Sequence, residues 1–244
     1  MKLVTKPPKQ VEVDKFSSWA LQNKLSSWVL QNELPYYLSN SSLTIEEACA
    51  TAKTKNLILL HITSNEVFNC GKYGQFIPES WYHDPKTERG RKETREELVI
   101  FNSLVPFLLI RVPTWFFGDC LPFTLPSLVA QIKHWKEGDD LIALYPDLVG
   151  TPTYLEDAAM IIKSLIDLEC QGIYHVTNGD AASELTWGLF IADYLNKSKA
   201  VFPHPDQIKN PIHPGLDIQK LLKTINYGIP RWSNATERYL ECLS

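Results

Sequence analysis

The chain has 244 residues, 44% hydrophobic and 21% charged, enough to bury one substantial core and too apolar for a disordered or fibrous chain. Its formal net charge is -4 and its basic residues are scattered apart from the run Lys86 to Arg95, which argues against a nucleic-acid-binding surface. No apolar run approaches the roughly 20 residues that span a bilayer, and the N-terminus lacks a secretory apolar core.

Cytoplasmic residence is therefore expected, and the N-x-S/T matches at Asn40, Asn196 and Asn234 read as chance. Five cysteines (Cys49, Cys70, Cys120, Cys170 and Cys242) lie far apart without a C-x-x-C pair, the pattern of reduced, mostly buried thiols. The histidines are dispersed and His204 and His213 merely sit beside prolines, so no metal is expected. A Gly-x-Ser-x-Gly elbow, a phosphate loop and a His-Glu-x-x-His helix are all missing from the sequence.

Residues 1–14 are polar, hold two prolines and read as a lead-in. From Ser17 the text Ser-Ser-Trp-Ala-Leu-Gln-Asn-Lys-Leu is followed by Ser-Ser-Trp-Val-Leu-Gln-Asn-Glu-Leu, which places Trp19 and Trp28 in equivalent positions. This stretch is either an aromatic docking surface, for a protein partner or a second copy, or a helical cover for an otherwise exposed sheet; burial favours the cover. Residues 1–42 are thus set apart from a domain over 43–244.

A helix is predicted from Leu43 to Lys53, with Thr44 as its N-cap and glutamates in its first turn. The run Asn56-Leu-Ile-Leu-Leu-His-Ile then reads as a strand buried on both faces. A helix over Glu88 to Asn102 precedes a second such strand, Phe107-Leu-Leu-Ile-Arg-Val. Helices follow at Leu125 to Lys136 and Leu155 to Leu168, then a strand at Gly172 to Thr177 and helices at Ala182 to Leu195 and Asp217 to Leu222. Alternating strand and helix text argues for an α/β layered fold.

Five ordered segments carry a more specific signal. They are Leu59-Leu-His-Ile-Thr-Ser-Asn-Glu-Val-Phe, Phe76-Ile-Pro-Glu-Ser-Trp-Tyr-His-Asp-Pro, Leu108-Leu-Ile-Arg-Val-Pro-Thr-Trp-Phe-Phe-Gly, Gly150-Thr-Pro-Thr-Tyr-Leu-Glu-Asp, and a closing set. The closing set comprises Gly172-Ile-Tyr-His-Val-Thr-Asn, Pro211-Ile-His-Pro-Gly-Leu-Asp and Gly228-Ile-Pro-Arg-Trp. In this order they resemble the dTDP-4-dehydrorhamnose reductase family of extended short-chain dehydrogenase/reductases. The resemblance implies a Rossmann-like parallel sheet, truncated at its N-terminus, with the small C-terminal substrate-binding subdomain of those enzymes.

It also implies a chemistry: hydride from a nicotinamide reduces a ketone on a nucleotide-linked sugar, a tyrosine gives the proton, a lysine lowers its pKa and a hydroxyl orients the carbonyl. The hydroxyl position falls on Ser64, beside Thr63, whereas Arg89 stands at the tyrosine position and Glu93 at the lysine. Sliding the register back by one restores Lys92 but puts Glu88 where the phenol belongs. A literal Tyr82-x-x-x-Lys86 contains Pro85 and lies close behind Ser64, inside loop-like text. An arginine, with a pKa above about 12, does not act as an acid at neutral pH, and a glutamate raises a neighbouring phenol's pKa.

No glycine precedes Gly71, so a glycine-rich dinucleotide turn is missing and loss of NADPH is expected. The sugar-nucleotide side is carried by Arg111, Trp115, Thr153 and Tyr154 by resemblance. Each also has an ordinary structural reading: Arg111 as an ion-pair partner, Trp115 as core, and nearby Asp157 as a helix cap. The expected function is a degenerate, non-redox binding or regulatory module for a sugar nucleotide or a protein partner. The alternative is a nucleotide-sugar 4-ketoreductase or epimerase, active alone or in a complex.

Overall fold

The computed structural model describes residues 25, 35–39, 43–68, 76–118, 128–206 and 215–243. Trp19 and Trp28, and with them the proposed aromatic surface, lie outside the described residues. So do Gly71 and His213.

Four parallel strands form the central sheet: β1 (Tyr36–Leu38), β2 (Ile58–Ser64), β4 (Phe107–Val112) and β9 (Gly172–His175), hydrogen-bonded in that order. The short β3 (Phe76–Ile77) lies between β2 and β4 in sequence and pairs instead with β12 (Gly215–Leu216). Alternation along β2 and β4 explains why their sequences are continuously apolar. Leu59 and Leu109 pack with α1 (Ile45–Lys55) and with Ile100 of α2 (Glu88–Asn102), whereas Leu60, Ile62, Leu108 and Ile110 face α4 (Leu155–Asp167) and α6 (Gln219–Thr224). Both faces are covered, so no polar alternation is possible except where a side chain finds a partner.

The helix boundaries follow from local chemistry. Thr44 caps α1 in a full capping box with Glu47, and Asn56 ends it in the left-handed region at φ 53°. Thr87 caps α2 by accepting from the Gly90 N–H. Asp157 does not cap α4 as its position suggested; the N-cap residue there is Tyr154, with no side-chain cap.

A second core lies beyond the sheet. It is built by β5 (Phe116–Phe117) paired with β8 (Thr153–Tyr154), by β6 (Ile142–Leu144) paired with β11 (Val201–Pro203), and by helices α3 (Leu128–His134), α5 (Glu184–Tyr194) and α7 (Trp232–Leu243). The remaining short strands, β7 (Val149–Gly150) and β10 (Ala182–Ser183), pair antiparallel and lead into α5. The parallel sheet with this smaller lobe is the α/β architecture expected for a Rossmann-like, extended short-chain dehydrogenase. Cys49, Cys170 and Cys242 are free thiols, but only Cys49 is buried, so the expectation of mostly buried cysteines holds for one of these three. No helix among the described residues is long and apolar enough to cross a membrane.

Candidate functional site

Open parallel sheets bind ligands beyond the carboxyl ends of their strands, because helix N-termini and loops converge there. The register places Ser64 opposite Val112, and Arg111 opposite His175, so the ends of β2, β4 and β9 form one edge.

At that edge Ser64 is fully buried, with its hydroxyl donating to Glu93 Oε2 at 2.5 Å and its backbone N–H donating to the same oxygen at 2.9 Å. The other Glu93 oxygen accepts from Arg89 Nε at 2.8 Å, one helical turn away on α2. Gly90 fixes the helix against this edge: a Cβ there would lie 2.0 Å from the Glu66 carbonyl oxygen, so only glycine lets the backbones approach so closely. The structure therefore brings Ser64, Arg89 and Glu93 together.

One turn further along α2, a second buried carboxylate organises the strand behind Ser64. Glu97 accepts from Thr63 Oγ1 at 2.7 Å and takes Arg111 in a two-pronged contact, Nε at 3.1 Å and Nη2 at 2.6 Å. His83 Nε2 lies 2.7 Å from the same carboxylate, and Arg111 Nη1 donates to the Glu79 carbonyl at 3.0 Å. Burial pushes the Glu97 carboxyl up, but the bonds from His83, Arg111 and Thr63 outweigh it and hold the pKa at about 2. Arg111 is only 1% exposed, so the guanidinium offered by sequence as a substrate ligand is engaged as Glu97's counter-charge. His175, on the adjoining strand, donates from Nδ1 to the Asp217 carbonyl at 3.2 Å; burial and the Arg111 charge lower its pKa to about 3.

Tyr82 and Lys86 do not make the tyrosine and lysine pair that their spacing spells. Residues 81–86 are not helical, Tyr82 is 68% exposed and stacked on Trp81, and Lys86 pairs with Asp84 at 3.1 Å.

The remaining candidates gather where the sheet meets the second core. Thr153 is buried, with its hydroxyl 2.8 Å from that of Thr177, just past the end of β9. The Tyr154 N–H donates to Asn178 Oδ1 at 2.8 Å, and its ring stacks on Phe117 with 5.5 Å between centroids. Trp115 is half-buried, stacks on Trp187 at 5.9 Å and lies flat over Gly150, where a Cβ would come within 2.6 Å of the indole. This contact accounts for the glycine of the Gly150-Thr-Pro-Thr-Tyr text. Asp157 accepts from Asn178 Nδ2 at 2.7 Å and from Arg238 Nη2 at 2.6 Å, and it ties α4, the loop after β9 and α7 together.

Several of these partners were invisible to sequence reasoning. Glu97, His83 and Asn178 belong to no spaced motif, and Arg238 lies on the polar face of its helix, where sequence alone does not name a partner. One usable signal was the spacing of Glu93 and Glu97, two carboxylates on one face of a helix packed beside an apolar strand.

Residues 39–244 match the family model described as the RmlD substrate binding domain. The chain belongs to that family. Members of the RmlD substrate-binding-domain family are sugar-nucleotide reductases and epimerase-like relatives, and solved structures show the same fold. A dTDP-4-dehydrorhamnose reductase from Bacillus anthracis in complex with NADP is similar at a TM-score of 0.71 and 20% identity, covering 82% of this chain and 70% of that one. The Yersinia enterocolitica dTDP-4-dehydrorhamnose reductase gives 0.72 and 19%, covering 97% and 88%. A Bacillus cereus UDP-glucuronic acid 4-epimerase, solved with UDP-glucuronic acid and NAD, gives 0.62 and 16%, covering 82% and 67%. No curated protein matches the sequence significantly.

These neighbours correct the expectation that NADPH is lost. Structures of this fold hold NADP or NAD, so a nicotinamide is the cofactor that goes with the RmlD fold. Among the described residues, the groups bonded in series beside Ser64 are the carboxylate of Glu93 and the guanidinium of Arg89.

Proposed function

We propose that this RmlD-family chain binds a sugar nucleotide and acts as a non-redox binding or regulatory module, with its proton-delivering corner rebuilt as an ion-paired anchor. The observation that carries this reading is the chain of bonds from Ser64 through Glu93 to Arg89. Reducing a ketone requires a hydroxyl proton aimed at the substrate oxygen and an acid that releases its proton in the transition state.

Here the Ser64 proton points at a carboxylate, and the guanidinium at the acid's position keeps its protons at neutral pH. Glu93 also places a negative charge where a positive one would stabilise a phenolate or alkoxide. A nicotinamide, when bound, supplies hydride; the reading rests on proton delivery alone and holds whether or not that cofactor is present. The sugar nucleotide is left with the half-buried Trp115, backed by the buried Thr153 and Tyr154.

Calorimetric titration with dTDP-glucose and UDP-glucose, together with incubation of a 4-keto nucleotide sugar with NADPH and analysis of the recovered sugar, tests this. Saturable binding, a raised melting temperature and unchanged sugar are expected. Absence of binding to every nucleotide sugar sinks the binding claim, and a reduced or epimerised product sinks the non-catalytic one.

A further inference from the structure

Helix α7 carries Arg231 at its start and Asn234 and Arg238 beyond it, a spacing of three and then four residues that puts all three on one face. Ala235, Thr236, Tyr239 and Leu240 bury the adjacent face in the second core. The helix begins against the loop that leaves the carboxyl end of β9. Gly179 bridges to Arg231, its carbonyl accepts from the Trp232 N–H at 3.1 Å, and Asn178 Nδ2 donates to the Pro230 carbonyl at 3.0 Å. The start of α7 therefore borders the loop after β9 that also carries Asn178, the partner of the Tyr154 N–H.

Each guanidinium on that face is oriented but only partly occupied. Arg231 Nε meets Asp180 Oδ2 at 3.1 Å, with the side chain 76% exposed. Arg238 donates through Nε to Asn234 Oδ1 at 3.1 Å and through Nη2 to Asp157 Oδ2 at 2.6 Å, sits 5.6 Å over the Tyr154 ring and is 39% exposed. A guanidinium has five N–H donors, so both arginines keep donors without a partner among the described residues. Asp157 and Asn234 together hold the Arg238 fork still, which lowers the entropy lost when a further acceptor binds. Planar forks that are fixed in place and reach solvent suit phosphate oxygens, which accept two parallel N–H bonds.

We infer that Arg231, Asn234 and Arg238 form the binding stripe for the diphosphate of a nucleotide sugar, whose sugar end then points toward Tyr154 and Trp115. The inference rests on the proposed sugar-nucleotide binding and names the residues that take its charged portion. Asp180 and Asp157 stay in place as the groups that orient the two arginines.

Calorimetry with four probes tests the stripe: dTDP-glucose, thymidine, inorganic pyrophosphate and NADPH, each against wild type, Arg231→Gln and Arg238→Gln. Losing a charge-assisted contact weakens binding by about 10- to 100-fold. Both variants are expected to lose this much affinity for dTDP-glucose and pyrophosphate, with thymidine and NADPH unaffected. Equal loss for thymidine and dTDP-glucose, unchanged affinity for dTDP-glucose, or loss confined to NADPH overturns the inference. Arg231 has no buried partner, so its variant keeps the test decisive if Arg238→Gln fails to fold. Pyrophosphate bound through the arginines without sugar-nucleotide binding leaves the stripe standing and removes the proposed function. Sugar-nucleotide binding indifferent to both variants does the reverse.

Discussion

Replacing Glu97 by glutamine should destabilise the fold by about 3 kcal/mol at neutral pH, and two independent arguments give this size. Arg111 is 1% exposed and Glu97 is fully buried, so removing the carboxylate charge strands a buried guanidinium, a change that costs roughly 3 to 5 kcal/mol. Linkage gives a similar figure, since lowering the Glu97 pKa from 4.5 to about 2 corresponds to about 3 kcal/mol at about 1.4 kcal/mol per unit. The folded-state pKa is depressed, so this stability is fully present above pH 4.5 and is lost as the pH falls toward about 2.

Urea unfolding from about pH 7 to about pH 3 measures both effects. Wild type should lose stability across the acid window, whereas Glu97→Gln should start lower and show a flatter slope there. A glutamine variant within about 0.5 kcal/mol of wild type at neutral pH, or with an unchanged acid slope, would refute the reasoning. A Glu97→Leu, Arg111→Leu double variant should be less damaged than either single change, because neither charge is left alone.

Gly90→Ala should destabilise by a few kcal/mol, since the added methyl meets a backbone carbonyl that cannot swing aside; thermal unfolding checks this. His175 is held neutral by burial, so its contribution is present above pH 6.5 and declines as the pH falls toward about 3. Over that window His175→Leu should flatten the stability curve by up to about 1.4 kcal/mol per pH unit, and an unaltered slope would count against it. Thr44→Ala removes the capping box of α1 and should lower the melting temperature by about 2 to 4 °C, roughly a 1 kcal/mol effect.

The fold was largely legible where burial sets the pattern. Runs such as Phe107 to Val112 are apolar throughout because both sheet faces are covered, and the Thr44 cap announces itself one residue before its helix. Helix α7 was missed although positions 232, 235, 236, 239, 240 and 243 keep helical spacing, with Ser233, Asn234, Glu237 and Arg238 on the opposite face; that period was readable in the sequence. In β1, by contrast, three residues, Tyr36 to Leu38, are too few to show a period, and the pairing with β2 defines them.

For the site, resemblance supplied Ser64, Arg89 and Glu93, and side-chain geometry shows how they answer one another. The Arg111 role could not be read from sequence, because its partner Glu97 lies on a different element and a lone arginine at the end of a strand fits a ligand contact and an internal counter-charge equally well. The same holds for Tyr154, whose ring belongs to the Phe117 and Tyr239 cluster that only the folded chain brings together.

The most direct test of the account is NADPH oxidation with a 4-keto nucleotide sugar, followed by absorbance, in wild type and in the Arg89→Tyr, Glu93→Lys double variant. Wild type should bind the sugar nucleotide and leave NADPH untouched, with any turnover confined to the variant that restores a phenol and an ammonium beside Ser64. Sugar-dependent consumption of NADPH by the wild-type chain would contradict it.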